Sequence, residues 1–129
     1  MYSLIFSKLY YNDIAESTDY IADALLNPAA ALRLLDEADQ KLIEIKNNPR
    51  YRPLVNDEYL ANLGYRFAIV KNYLLFYIIG EPTAERVATS EGSRSVNGNH
   101  IKIIRFLYGR MDWMTMLKEK TVEEMMEEK

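Results

Sequence analysis

The 129-residue sequence contains no cysteine and a single histidine, His100. The absence of cysteine excludes disulfide bonds, thiolate metal ligands and a cysteine nucleophile, and it fits a reducing compartment. One histidine also argues against a zinc site, because such sites draw on several Cys, His or acidic ligands. We therefore expect neither a bound metal nor a cofactor.

The sequence also lacks a basic leader and an apolar stretch long enough to cross a bilayer. Its first eight residues already follow a strand-like pattern rather than that of an export signal. We expect a cytoplasmic protein with no membrane contact. The length is sufficient for one domain with its own core, so residues 1–129 are predicted to form a single domain.

The net charge of −3 is unevenly distributed along the chain. Residues 1–44 carry 3 basic and 8 acidic side chains, residues 45–113 carry 10 and 6, and residues 114–129 carry 3 and 5. The basic middle segment is suited to a polyanion or an acidic protein partner. An equally open alternative is that these charges only solvate exposed faces. The overall acidity argues against strong non-specific binding to nucleic acid.

Hydrophobic periodicity in the N-terminal half predicts a strand followed by a helical hairpin. Residues 2–7 have a strand pattern. In the helix that follows, apolar residues at three- and four-residue intervals are expected on one buried face: Ile14, Tyr20, Ile21, Ala24 and Leu25. Asn27 and Pro28 are suited to the N-cap and the first turn of a second helix. The apolar stripe of that helix consists of Ala31, Leu34, Leu35, Ala38, Leu42 and Ile45.

The C-terminal half predicts a three-stranded antiparallel meander and a final helix. The strands are residues 65–70, 73–79 and 101–108. The first two are joined by Lys71 and Asn72 in a tight turn, where Asn72 is suited to the left-handed conformation. The polar residues 81–99 form a long insertion between strands. Asp112 is suited to cap a helix over residues 113–129. The predicted class is therefore a two-layer α+β fold.

Several segments resemble the RelE/ParE superfamily of bacterial type II toxin-antitoxin toxins, also called plasmid stabilisation proteins. They are YSLIFS (residues 2–7), GYR (64–66), NYLLFY (72–77) and IRFLYGRMDW (104–113), together with the helical hairpin broken at Asn27 and Pro28. The resemblance covers most of the chain and implies a twisted antiparallel sheet packed on a helical hairpin. The insertion at residues 81–99 and the acidic tail depart from the usual pattern.

The resemblance implies a small toxin that a cognate antitoxin neutralises by wrapping its surface. Within the superfamily, RelE-like members cut messenger RNA in the ribosome, whereas ParE-like members poison DNA gyrase without a nuclease site. A third possibility is an interaction module that keeps the fold without toxicity.

RNA cleavage on this fold needs a proton acceptor, cations that stabilise the phosphorane, and a donor for the leaving oxygen. Matching by motif gives Arg66, Arg105, Tyr108 and Arg110 as the candidate catalytic set. Ala68 and Leu74, however, occupy positions where nuclease relatives carry basic residues. We therefore predict a ParE-like or catalytically degenerate toxin acting through protein contacts. The alternative is a RelE-like, metal-independent, ribosome-dependent endoribonuclease.

Three of the four candidate residues also have a structural interpretation. Tyr108 is suited to end a strand and cap the core, and its phenol could transfer a proton near neutral pH only if its pKa were lowered. Arg105 is suited to a cross-strand ion pair, and Arg110 to a pair with Asp112 in the turn before the last helix. Trp113 is predicted to anchor that helix in the core.

Overall fold

The structure is a computed structural model that describes residues 2–80 and 100–119. Its elements are β1 (Ser3–Phe6), α1 (Lys8–Asp19), α2 (Pro28–Asn47), α3 (Glu58–Asn62), β2 (Arg66–Val70), β3 (Tyr73–Ile79), β4 (His100–Tyr108) and α4 (residues 113–119). This order confirms the predicted α+β class. The predicted insertion at residues 81–99 and residues 120–129 of the predicted last helix lie outside the described residues. The single-domain organisation stays a prediction.

The four strands form one mixed sheet in the order β1-β4-β3-β2. Strands β2, β3 and β4 make the predicted antiparallel meander. Strand β1 is added parallel to β4, with Ser3 opposite His100 and Phe6 opposite Ile103. Of the strands in residues 2–80 and 100–119, the last, β4, is therefore an interior strand that lies between β1 and β3.

Helices α1 and α2 cover one face of this sheet. The predicted stripe of α2 packs on Ala68, Val70, Leu75, Tyr77 and Phe106, and its residues Ala31, Leu34, Ala38, Leu42 and Ile45 are buried. Each large aliphatic side chain buried in this way contributes roughly 1.5–3 kcal/mol. This layer supplies most of the core contacts that hold the hairpin on the sheet.

A π-helical turn, Tyr20–Ala24, continues α1 and changes the direction of the side chains that follow. The Leu25 N–H donates to the Tyr20 carbonyl at 3.1 Å, so one extra residue is accommodated in the turn. Tyr20, at the start of this turn, and Leu25, after its end, are 57% and 55% exposed. The helical spacing in the sequence placed both on the buried stripe, and that prediction was wrong.

The opposite face of the sheet is covered by α3 and α4. Leu60 and Leu117 are fully buried there with Phe76, and the Trp113 ring lies 5.2 Å from the Phe76 ring. The Asp112 carboxylate accepts a hydrogen bond from the Thr115 N–H at 3.3 Å, which caps α4. The predicted roles of Asp112 as a cap and Trp113 as an anchor are confirmed.

The turn between β2 and β3 is bound to the segment that leaves β4. Lys71 adopts the left-handed conformation with φ 57°, not Asn72 as predicted. Its ammonium group lies 3.3 Å from the Glu37 carboxylate on α2. The Asn72 carbonyl accepts from the Gly109 N–H at 2.8 Å, and a Cβ at Gly109 would stand only 3.2 Å from that carbonyl oxygen. Glycine therefore allows the close approach of the two segments.

Candidate functional site

The site lies where β4 extends beyond its parallel partner β1. Ser7 ends β1 with its N–H donating to the Ile103 carbonyl at 3.0 Å and its hydroxyl donating to the Ile104 carbonyl at 2.6 Å. The same hydroxyl oxygen accepts from the Tyr10 N–H at 3.0 Å and so caps α1. The chain thus turns from strand to helix at Ser7, and α1 runs alongside the rest of β4.

Asp13 of α1 forms a nearly buried, bidentate ion pair with Arg105 of β4. Its two carboxylate oxygens lie 2.7 and 2.8 Å from Nε and Nη2 of Arg105, and one of them also accepts from the Phe106 N–H at 3.0 Å. The side chains are 11% exposed for Arg105 and 8% for Asp13. The hydrogen bonds from Arg105 to Asp13 raise the pKa of the guanidinium, against an opposing effect of burial. This geometry is typical of strong carboxylate pairing.

A cavity of about 640 Å³ opens beside this ion pair, between α1 and the end of β4. Tyr73 and Phe106 form part of its wall with stacked rings 4.9 Å apart, and the Tyr108 ring meets Tyr73 edge-on at 5.6 Å. Its apolar lining is completed by Tyr20, Ile21, Leu25, Met111 and Met116. The cavity is therefore mainly an apolar and aromatic surface with polar groups at one side.

Charges of opposite sign flank the cavity. Glu16 lines it, and Asp19 and Asp23 are exposed on the same stretch of helix and π-helical turn. Arg110 is exposed on the other side, between the lining residues Tyr108 and Met111. The α1 side is thus acidic, whereas the exit from β4 supplies a cation.

Comparison with known proteins identifies the family. The family described as the ParE toxin of the type II toxin-antitoxin system parDE matches residues 4–113. The chain belongs to the ParE toxin family. The match begins in β1 and ends at the first residue of α4, so it includes the whole described sheet and the cavity.

A solved structure shares the fold of this ParE-family chain. It is titled as the chromosomal ParDE TA system from P. aeruginosa and has a TM-score of 0.58 and 15% sequence identity. The alignment covers 84% of this chain and 96% of that one. Among curated proteins, none matches the sequence. The structural similarity supports the fold, and the sequence match supports the family.

The structure brings three of the four predicted catalytic residues to one region. Arg105 and Tyr108 line the cavity, and Arg110 follows directly. Arg66 lies elsewhere, since it is opposite Tyr77 on β3, whereas Tyr108 is opposite Tyr73. Four residues along a strand separate the two positions by about 14 Å, in addition to the spacing between strands. A catalytic role for the set stays a prediction.

Arg66 binds the loop between α2 and α3. Its Nη1 donates to the Arg52 carbonyl at 2.5 Å and approaches the Arg50 carbonyl at 3.4 Å. Beside it, the buried Tyr77 hydroxyl donates to the Pro49 carbonyl at 2.6 Å. Burial raises the pKa of Tyr77 to about 12, with Arg66 and Arg52 opposing the change. Arg66 therefore has a defined structural role.

Ala68 and Leu74, where basic residues were expected in a nuclease, lie on opposite faces of the sheet. Ala68 is 2% exposed and packs in the cluster beneath α2. Leu74 packs in the other cluster with Trp113 and Met116 of α4. Neither face offers a basic side chain at these positions, and both are covered by helices.

The partner of Arg105 was not identified from the sequence, which suggested a cross-strand pair. Asp13 is separated from it by 92 residues. The sequence did contain one signal. Asp13 is an acidic residue that falls on the apolar stripe of the first helix, which contains Tyr10, Ile14 and Ile21. The suggested pair of Arg110 with Asp112 is absent from the ion pairs of residues 2–80 and 100–119, and Asp112 instead caps α4.

Within the described ranges, no group of three or more His, Cys, Asp or Glu side chains is arranged to hold a metal ion. The helices of residues 2–80 and 100–119 are also too short or too polar for any of them to cross a membrane.

Proposed function

We propose that this ParE-family toxin acts through protein contacts, that DNA gyrase is its target, and that a cognate antitoxin neutralises it. The observation that carries the proposal is the pairing of Arg105 with Asp13. A guanidinium held by two carboxylate oxygens has its charge balanced and its donors directed away from a phosphate. The best-placed cation of the nuclease interpretation is therefore already occupied.

The remaining candidates give the same conclusion. Arg66 donates to a backbone carbonyl of the loop between α2 and α3, away from the cavity. Leu74 lies beneath α4. Phosphorane stabilisation requires several preorganised cations close together, and loss of one such donor typically costs about 2.7–4 kcal/mol of transition-state stabilisation. Arg110 alone does not supply that arrangement.

The surface around the cavity supports binding of an antitoxin segment. Tyr20, Leu25, Tyr108 and Met111 are all exposed at its margin. Contiguous apolar and aromatic side chains of this kind mark protein interaction sites more often than they mark unused surface. The acidic residues on the α1 side favour a segment in which basic side chains flank the apolar ones.

A second candidate, ribosome-dependent cleavage of messenger RNA, has one observation in its favour. Tyr108 is 38% exposed at the cavity, and Arg110 is exposed two residues later. A phenol and a guanidinium so placed are accessible to a substrate from solution. This arrangement makes Tyr108 and Arg110 the residues that distinguish the two functions.

Controlled expression in bacteria tests the proposal. We expect growth arrest with filamentation and DNA damage, intact messenger RNA, and rescue by the antitoxin encoded beside the toxin gene. Purified protein should inhibit supercoiling by gyrase. Messenger RNA cleaved within ribosomes would instead establish the nuclease function, and absence of toxicity would favour a non-toxic module.

Matched variants make this test specific. Tyr108→Phe removes only the hydroxyl, and Arg110→Ala removes the exposed cation. Under the proposed mechanism, neither change creates or abolishes a cleavage pattern in messenger RNA, and Tyr108→Phe keeps its toxicity. If Tyr108→Phe or Arg110→Ala abolishes an RNA cleavage that the unmodified protein performs, the proposal is wrong.

A further inference from the structure

A basic surface lies at the end of α2, away from the cavity. We call it the basic loop surface, and it consists of Lys46, Arg50, Tyr51, Arg52 and Arg66. Lys46 and Arg50 are exposed, and Tyr51 is 73% exposed although it is a large aromatic residue. Neither the cavity nor the proposed antitoxin contact uses these side chains. Lys46, Arg50 and Tyr51 are the exposed members of the surface, whereas Arg52 and Arg66 are partly buried and add positive charge beneath them.

The backbone that displays Tyr51 is held rigidly from within. Tyr77 donates to the Pro49 carbonyl, Arg66 donates to the carbonyls of Arg50 and Arg52, and the Tyr51 N–H donates to the Asn48 carbonyl at 3.2 Å. Such anchoring fixes the loop before any partner arrives. A preordered surface loses less conformational entropy on binding than a mobile loop does.

Within this surface, the Arg52 side chain contacts both Glu44 and Tyr51. The Arg52 guanidinium pairs with the Glu44 carboxylate and lies 5.3 Å from the centre of the Tyr51 ring. Four basic side chains with this one carboxylate leave a local charge of +3, in a chain whose net charge is −3. Leu54, which is 41% exposed, adds an aliphatic contact nearby in sequence. The surface is thus locally positive and partly apolar.

The basic loop surface and the cavity lie at opposite ends of α2. The cavity residue Leu25 precedes the start of α2 at Pro28, whereas Lys46 and Arg50 lie at its end. A helix of 20 residues is about 30 Å long. One short segment bound in the cavity would therefore leave the basic loop surface accessible.

We propose that the basic loop surface binds an acidic segment of a partner protein, with an aromatic or aliphatic side chain of that segment packed on Tyr51 and Leu54. Charge complementarity selects the acidic partner, and tyrosine and arginine are the residue types that most often dominate protein interfaces. A nucleic acid fits less well, since the chain as a whole is acidic with a pI near 5.2. Tyr51 also provides a stacking platform for one base only.

The test is an NMR titration of the full-length, isotope-labelled protein with three probes. The first is a short synthetic peptide that alternates Glu, Leu, Asp and Phe; the second replaces Glu and Asp by Gln and Asn; the third is oligothymidine of equal length. We expect the acidic peptide alone to shift the amides of residues 46–54. Its affinity should fall as salt is added, because the ion pairs are exposed.

Variants at the two ends of α2 provide the controls. Arg50→Glu should weaken binding of the acidic peptide about tenfold, since it removes one attraction and adds one repulsion. Tyr51→Ala should weaken it while preserving the salt dependence, and Arg33→Glu, a matched charge reversal at an exposed position near the start of α2, should leave it unchanged. No shift at residues 46–54, equal binding of the amide peptide, or tighter binding of oligothymidine would each overturn the proposal.

Discussion

Asp13 occupies the place on the edge of β4 that β1 does not reach. Strand β1 pairs with β4 only as far as Ile103, and three residues later the Phe106 N–H is bound by the Asp13 carboxylate instead of a strand. The same carboxylate binds Arg105. One side chain on a helix thus satisfies a strand edge and neutralises an adjacent cation.

This relationship predicts a large loss of stability in Asp13→Ala. Removing one partner of a buried ion pair leaves the other charge unpaired, which typically costs about 3–5 kcal/mol. Urea denaturation followed by circular dichroism measures the change. Asp19→Ala, an exposed carboxylate on the same helix, serves as the control and should change stability by no more than about 0.5 kcal/mol.

The double variant Asp13→Leu with Arg105→Met distinguishes two contributions to the loss of stability: the cost of leaving Arg105 unpaired, and the cost of losing the ion pair. Replacing both ions by apolar side chains is often nearly neutral, so this variant should recover much of the stability that Asp13→Ala loses. The Phe106 N–H would still lack an acceptor, and recovery should therefore be incomplete. A double variant as unstable as the single one would contradict this account.

Leu117→Ala should weaken the cover that α4 places on the sheet. Leu117 is fully buried against the cluster that contains Phe76, and such truncations usually cost about 2–5 kcal/mol. Thermal denaturation tests the loss, and increased binding of a hydrophobic dye would report exposure of the sheet face. Met114→Ala, at a 37% exposed position on the same helix, should have a much smaller effect on both measurements.

Two buried tyrosines predict a loss of stability at high pH. Burial raises the pKa of Tyr10 and of Tyr77 from 10.0 to about 12 each. The folded state holds the two phenol protons more tightly than the unfolded state does. The stabilisation of the folded state by these protons is therefore complete below pH 10 and declines as the pH rises towards 12.

Tyr77→Phe tests this alkaline effect. It should be less stable at neutral pH by about 1 kcal/mol, because the hydrogen bond to the Pro49 carbonyl is lost. Between pH 10 and 12, however, its stability should fall less steeply than that of the unmodified protein. Tyr51→Phe, at an exposed position, should leave the pH dependence unchanged. Identical slopes for all three proteins would refute the assignment to Tyr77.

Asp57 should have the opposite pH dependence, with stability lost at low pH. The hydrogen bond from the Leu60 N–H, followed by the bond from Lys118, holds its pKa below the ordinary value of 3.8. Since the folded-state pKa is lowered, the stabilisation is present above 3.8 and is lost as the pH falls through the lower value. In Lys118→Met, the carboxyl resonance of Asp57 should titrate closer to 3.8. Lys41→Met, which removes a different surface cation, should leave it unchanged.

The sequence predicted the elements whose signals are local. The apolar stripe of α2, the strand patterns and the Asp112 cap each depend on residues within a few positions of one another, and all are confirmed. The π-helical turn was not predicted, since its extra residue leaves the composition of the helix unchanged. The burial expected of Tyr20 and Leu25 was also wrong, since both side chains are exposed and line the cavity.

The contacts of the site were harder to predict because they join distant segments. Arg105 was recognised as a candidate, but its partner lies 92 residues away, and no local pattern links the two. A bulge in the pairing of β3 with β4 is a further example. Phe76 is opposite Arg105 and Tyr77 is opposite Ile103, so no residue of β3 is opposite Ile104, and the alternation of faces shifts there. Strict alternation along β4 could not reveal this.

The interior position of β4 also sets the time at which the toxin fold can form during synthesis. β1 has no neighbour in the described sheet except β4, and the pairing of Ser3 with His100 spans 97 residues. At usual translation rates, roughly 5–20 s pass before Tyr108 has been added. Until then, β1 and the hairpin of β2 and β3 have no strand between them. A growing chain therefore has neither the complete sheet nor the cavity until β4 has been synthesised.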